Sequence, residues 1–444
     1  MTRLLNKYLF DENESKKKIR KYLLIIICII YGGICIAWVL THFPGIVGDQ
    51  GHVCDLAQTF FNGDLEEYFP KASYAGVPMR RYMEAYHQQI PLSAIFSVHF
   101  KLIHMPFRES LRVYNVISIL LISLCLYKIT NELSKKYEIN KVRFFFLIFT
   151  FLSLPMLSTF VYGDLPSLLL CLVAVYLVMR YVETKKLKYI MIASISTMFA
   201  YMMRMNSLIY IIAILIYLGL NIFKNRKENK LKQNLIEIAI LLGFILITVM
   251  PAKLITNYFL EKYDMDKENS YPNVSYFLMA MEEGPRYNGW YSEEIGEYAL
   301  KNTKQAKEEY PERIKERLKY FLENLDYAFE FYSNKIASMW TENTYGAVWI
   351  NKYDDVMNEK LVPVLSFYQK AWILLTCICI LVMLVQNRKN LSLELLLLLT
   401  IFVGGFAFHI LWEAKSRYII PYIIILVPLA SIEIKNLKIG GKVL

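Results

Sequence analysis

Asp49 lies in the run Pro44-Gly45-Ile46-Val47-Gly48-Asp49-Gln50-Gly51-His52, shortly after a charge-free apolar stretch from Tyr22 to Leu40. A carboxylate held between glycines at the edge of a membrane span is placed to take the proton of an attacking hydroxyl. Partial burial there raises a carboxyl pKa towards a useful value. The same side chain can cap the helix that follows by accepting from its free amides, and the two roles are compatible. Asp55 follows within two turns.

Four further segments carry polar groups suited to chemistry. Tyr86-His87-Gln88-Gln89 comes a turn after Arg80, Arg81 and Glu84. Arginines offer fork-shaped donors to a phosphate, while His and Gln hydrogen-bond sugar hydroxyls; a solvated interfacial segment has the same composition. Tyr162-Gly163-Asp164-Leu165-Pro166 supplies a second carboxylate, as catalytic partner or as helix cap. Arg204-Met205-Asn206 and Trp412-Glu413-Ala414-Lys415-Ser416-Arg417-Tyr418 put cations in two more short turns, where an anionic partner such as a lipid phosphate, or pairing with Glu413 and lipid headgroups, would compensate them. The six histidines form no HExxH or Cys-His pattern, so no metal cofactor is indicated, although Asp49, His52 and Asp55 together have the chemistry of a divalent-ion site. No phosphate-cradling glycine loop and no GxSxG is present, which argues against a nucleotide donor.

The elements that position these residues are membrane spans. Hydrophobic residues make up 56% and aromatics 15% of the 444, with mean hydropathy +0.32. At ~20 residues per crossing, about ten apolar runs qualify, near 22–41, 109–129, 143–162, 165–182, 188–204, 207–223, 235–258, 362–385, 391–411 and 417–434. The net charge of +11 resides in short clusters between these runs, which read as topology signals and not as a nucleic-acid surface. The clusters at 16–21, 135–143, 185–188, 224–232, 388–389 and 435–442 fall on one side if both termini, 1–21 and 435–444, are cytoplasmic. Spans one to seven then occupy 22–258, including an outer loop at 42–108, and spans eight to ten occupy 362–434 after a large outer loop at 259–361.

Val53, Leu56, Ala57, Phe60 and Phe61 recur at helical spacing in the first loop, and Ile314, Leu318, Phe321 and Leu322 in the second, after Pro311. Each pattern predicts an amphipathic helix at the interface. The first run is too long, and lacks the small-residue cleavage site, for a removable signal peptide. Of seven cysteines, only Cys54 lies in a polar segment, so they are packing residues and not a disulfide framework.

Taken together, an aspartate after the first span, a Tyr-x-x-Gln segment, Gly-Asp-x-Pro after the third span, Arg-x-Asn and a final Trp-Glu-Ala-Lys-x-Arg-Tyr resemble bacterial membrane glycosyltransferases of the GT-C class. The likeness is to family 39, the protein mannosyltransferases and aminoarabinose transferases, and it runs from about Pro44 to Pro428. It implies an all-α polytopic bundle that transfers a sugar from a polyprenyl monophosphate to an acceptor hydroxyl on the outer face of the bacterial cytoplasmic membrane, with inversion. By the same resemblance Asp49 is the base and Asp164 a supporting acid. It also implies that Lys415 and Arg417 face the donor phosphate and that His87 and Gln88 contact substrate; Arg204 and Arg80 are further cations for the phosphate, and Gln50 and Glu413 further polar groups for substrate. Trp290 in Pro285–Tyr291 and Trp340 in Lys335–Trp340 offer aromatic faces to sugars. Protein mannosyltransferases carry adjacent Asp-Glu where this chain has Asp49-Gln50, and glycan, lipid and protein acceptors stay open. The alternatives are a polysaccharide polymerase, an acyltransferase and, disfavoured by charge-free span centres, a secondary transporter.

Overall fold

Apolar runs in a bilayer have no water to satisfy their backbone, so they close their hydrogen bonds locally as helices. The computed structural model describes residues 17–42, 45–46, 48–62, 69, 73–74, 76–103, 107–227, 231–351, 355–434, 438–439 and 442–443. The expectations for 1–16 and for much of 435–444 lie outside the described residues. Helix α1 (Lys17–Thr41) is followed by α2 (Asp49–Asn62), the hairpin β1 (Ser73–Tyr74) and β2 (Val77–Pro78), α3 (Met79–Ala85) and α4 (Ile90–Ile103). Next come α5 (Arg112–Leu133), α6 (Lys141–Phe149), α7 (Ser153–Met156), α8 (Asp164–Thr184), α9 (Leu187–Met203), α10 (Ser207–Asn225) and α11 (Leu231–Lys262). The second loop holds α12 (Asn273–Met279), α13 (Glu293–Lys301), α14 (Thr303–Glu323), α15 (Leu325–Trp340) and α16 (Ala347–Asn351). Helices α17 (Asp355–Asn387), α18 (Leu393–Leu411), α19 (Ile420–Ile424) and α20 (Leu426–Ala430) complete the bundle, before a small hairpin of β3 (Lys438–Ile439) and β4 (Lys442–Val443).

The chain is an all-α polytopic membrane protein. Among the described residues seven helical segments are long and apolar enough to cross a bilayer, and Ile25–Thr41 and Leu187–Met203 are shorter apolar helices. The tenth expected span, 417–434, is not one helix. It is a 3-10 turn at Ser416–Ile419 followed by α19 and α20, because Pro421 and Pro428 have no N–H to give to a helical ladder. Its residues from Ile419 to Ile432 are nearly all buried, apart from the half-buried Pro421. Irregular backbone at this depth is tolerated because protein surrounds it: Asn140 N and Glu433 N bond to Ser431 O and Glu138 O, each at 2.7 Å.

The outer loops also differ from simple surface coverings. Pro311 falls inside α14, which starts at Thr303 and breaks at Asn324 from α15; Phe321 is buried, whereas Leu318 and Leu322 are exposed. Helix α2 is likewise no free interfacial helix, since Val53, Cys54, Leu56 and Ala57 are buried. Helix α15 descends beside α18 until Trp340 packs on Phe402 and Phe406, with ring centroids 5.5 and 5.2 Å away. Phe406 lies about 7.5 Å below the end of α18 at Leu411, taking 1.5 Å of rise per residue. Tyr345, Ala347 and Val348 then join the main core, so the end of the second loop is a plug in the bundle.

At the end of the bundle away from the loops, short ion pairs join the helices. Lys135 meets Glu183 at 2.7 Å, Lys136 meets Glu394 at 2.6 Å and Lys185 meets Glu237 at 2.7 Å. These contacts bring the ends of α5 and α8 and the starts of α11 and α18 to one face, as the pattern of basic clusters requires.

Candidate active site

Four stretches meet at the loop end: the start of α2, the passage from α3 into α4, the turn between α9 and α10, and the turn after α18. Asp49 is the first residue of α2, entered through Gly48. Its Oδ1 accepts from the Tyr82 hydroxyl at 2.9 Å, and Gln89 Nε2 donates to the Tyr82 oxygen at 3.1 Å. Gln50 points the other way: it is buried, and its Oε1 accepts from Val161 N at 3.0 Å, tying α2 to the turn before α8. That turn needs Gly163, at φ 77, where an added Cβ would come within 3.0 Å of Leu92 Cδ1.

Asp49 lines a cavity of about 670 Å³ together with His87, Gln88, Arg204, Glu413 and Lys415. Lys415 Nζ lies 2.9 Å from Glu413 Oε1. Its ammonium is also 5.5 Å from the centre of the Tyr291 ring and 5.7 Å from that of Tyr418. Burial opposes its charge, but Glu413, Tyr418 and Asp49 outweigh that and lift its pKa above the ordinary lysine range. Arg204 stands with its guanidinium 4.4 Å from the Tyr162 ring centre. Burial again opposes the charge, and Asp164, with smaller contributions from Tyr162, Tyr418 and Asp49, reverses the effect. One cavity thus carries a hydrogen-bonded carboxylate and two fixed cations.

Asp164 and Arg417 are set one layer behind, on a separate void of about 30 Å³. Asp164 Oδ1 is 3.4 Å from Arg204 Nε and 3.8 Å from Arg417 Nε. The expected second catalytic carboxylate is therefore a counter-charge that orients two guanidiniums, and it does not line the large cavity. The Arg417 guanidinium is 4.2 Å from the Phe160 ring centre.

Other expected contacts are drawn elsewhere. Arg80 donates to the carbonyls of Tyr263 and Asp264, because the end of α11 offers it unpaired acceptors. Arg81 likewise serves Asn269 O and Leu300 O, each at 2.7 Å. Trp290 packs edge to face with Tyr287 and lies against Arg286, and Trp340 packs on the α18 phenylalanines, so neither ring lines the cavity. Asp55 pairs with Arg108, which removes it from a shared site with Asp49. Burial lowers the pKa of the neighbouring His52, against the pull of Asp49 and Asp55. Sequence reasoning did not single out Tyr82, Tyr271 or Tyr276. The available signal was spacing: Tyr82 and Tyr86 are one helical turn apart, and their rings lie 4.7 Å apart.

Residues 91–252 match the family described as dolichyl-phosphate-mannose-protein mannosyltransferase. The match covers less than half of the chain. It runs from α4 into α11, and so includes Asp164 and Arg204 but not Asp49 or Lys415. No curated protein matches the chain. Among solved structures it is similar to the archaeal oligosaccharyltransferase AglB from Archaeoglobus fulgidus, in complex with an inhibitory peptide and a dolichol-phosphate. Identity is 13% and the TM-score 0.44, over 93% of this chain and 50% of that one. The chain thus spans about half the length of that enzyme.

Proposed function

We propose that the protein transfers a sugar from a polyprenyl-monophosphate donor to an acceptor hydroxyl on the outer face of a bacterial cytoplasmic membrane, with both termini on the inner side. The observation that carries this reading is the cavity itself. Asp49 stands in it with Arg204 and Lys415, and its flank is the lipid-side surface of α10 and α18, where Leu208, Ile212 and Phe408 are exposed. A donor would lay its isoprenoid chain on that flank and its phosphate against the cations.

In the reaction Asp49 accepts the proton of the acceptor hydroxyl, whose oxygen attacks the anomeric carbon opposite the phosphate. The bond from that carbon to the phosphate oxygen breaks, and its electron pair stays on the leaving polyprenyl phosphate. Charge grows on the phosphate as the bond breaks, so Arg204 and Lys415 stabilise the transition state more than the bound donor. Tyr82, held by Gln89, fixes the carboxylate through Oδ1. Polar groups on the wall, including His87, Gln88, Ser270 and Asn273, are suited to sugar hydroxyls, and Tyr276 and Tyr291 supply aromatic surface.

The test is transfer of labelled sugar by the purified protein in proteoliposomes, from a panel of polyprenyl-phosphate sugars and the corresponding nucleotide sugars. The expected result is transfer from a lipid-linked donor with inversion at the anomeric carbon. Transfer from a nucleotide sugar alone, or retention of configuration, contradicts the reading.

A further inference from the structure

Lys335 is a lysine with no exposed surface, on the helix α15 that enters the bundle. Its Nζ donates to three carbonyls: Ala280 O at 2.9 Å, Ile410 O at 2.8 Å and Trp412 O at 3.0 Å. An ammonium has three N–H groups, so each has an acceptor. Two of these carbonyls belong to the end of α18, whose last carbonyls lack helical partners and whose dipole favours a cation.

The surrounding chain is shaped to this side chain. Gly289, at φ 78, packs so closely that an added Cβ would lie 2.8 Å from Lys335 Cε. The Gly289 carbonyl in turn accepts from Ala414 N at 2.6 Å. Lys335 therefore gathers the end of α12, the Gly289 turn and the end of α18 around one atom. Directly beside them, Glu413 is paired with Lys415 in the cavity wall.

We propose that Lys335 is a positioning residue for the site: by clamping the end of α18 to the second loop, it fixes the Glu413–Lys415 pair where a donor phosphate would sit. This rests on the proposed function only for what Lys415 does; the clamp itself stands on the contacts. It makes the docking of the second loop and the assembly of the cation wall one event.

Backbone amide exchange tests the clamp without any substrate. In Lys335→Met, exchange across 410–418 is expected to rise about tenfold or more while the spans keep native protection. Lys335→Arg, which keeps donors and charge, is expected to restore most of it. If Lys335→Met does not fold, Lys335→Gln provides the same comparison with two N–H groups. Unchanged exchange at 410–418 overturns the clamp whatever the activity.

Transfer kinetics test the link to Lys415. Lys335→Met should lower kcat about tenfold with a smaller change in donor KM, and should have little further effect in a Lys415→Met background. An equal loss in both backgrounds overturns that link and leaves Lys335 a stabilising residue only. If native protein transfers from no donor, the proposed function fails, and the exchange result still decides the clamp.

Discussion

The two ends of this bundle hold their charges in opposite ways. At the far end, Lys135 and Lys136 are about half exposed and reach their carboxylates at 2.6 to 2.7 Å. At the loop end, Arg204 and Arg417 are mostly buried and stand 3.4 and 3.8 Å from a single shared carboxylate. Aromatic rings back both guanidiniums, and among the described residues Asp164 Oδ2 and Arg417 Nε lack a hydrogen-bond partner. Charges that satisfy one another at the surface staple helices together and contribute little else. Buried cations in excess over their carboxylate keep unused capacity for an anion, at a cost in stability that a purely structural site would not need.

The largest effect that should separate the ends is on transfer. Lys415→Met or Arg204→Met is expected to lower kcat/KM about 100-fold or more, whereas Lys136→Met stays within about twofold. Measured on one donor at equal folded protein, similar losses at both ends would erase the distinction. Asp164→Asn should act chiefly on stability. It leaves two buried guanidiniums without their counter-charge and is expected to cost about 2 kcal/mol in unfolding, discounted for its partial exposure, with transfer falling about tenfold at most. Full transfer loss without destabilisation would return Asp164 to the chemistry.

A smaller effect concerns pH. Burial draws Lys335 down to about 7 against the opposing pull of Glu413. Below that pH the ammonium offers three N–H groups, and above it the neutral amine offers only two. Transfer by the native protein relative to Lys335→Arg should therefore fall a few-fold as pH rises from about 6 to about 8, and a flat ratio would remove titration from the clamp. Smallest of all is Arg80→Ala. It loses contacts to the Tyr263 and Asp264 carbonyls, so transfer should stay within about twofold while stability drops by about 1 kcal/mol.

The last case shows where sequence is informative and where it is not. Apolar runs reveal the spans, because bilayer thickness acts on local composition, and the spacing of basic clusters predicts the side that each end faces. The Asp49 segment was visible for the same reason: a polar, glycine-rich run directly after a span. Arg80, by contrast, is captured by backbone carbonyls that any sequence would carry, so its residue type gave no warning. Trp340 is aromatic whether it meets a sugar or a phenylalanine, and only the descent of α15 beside α18 decides which, while Trp290 turns to Tyr287 and Arg286. Pro421 and Pro428 were legible as helix breakers, yet the apolar composition around them outweighed that signal. Asp164 stands 3.4 Å from Arg204, but the layer behind the cavity is a depth that spacing cannot express.

The most direct measurement is the rate of sugar transfer by Asp49→Asn relative to the native protein, on a working polyprenyl-phosphate donor, with folding and membrane level matched. The asparagine keeps the shape and an acceptor for the Tyr82 hydroxyl but cannot take a proton at neutral pH. The account predicts a loss of about 100- to 10,000-fold with donor binding retained. Activity close to native would show that Asp49 only opens α2 and that the base lies elsewhere.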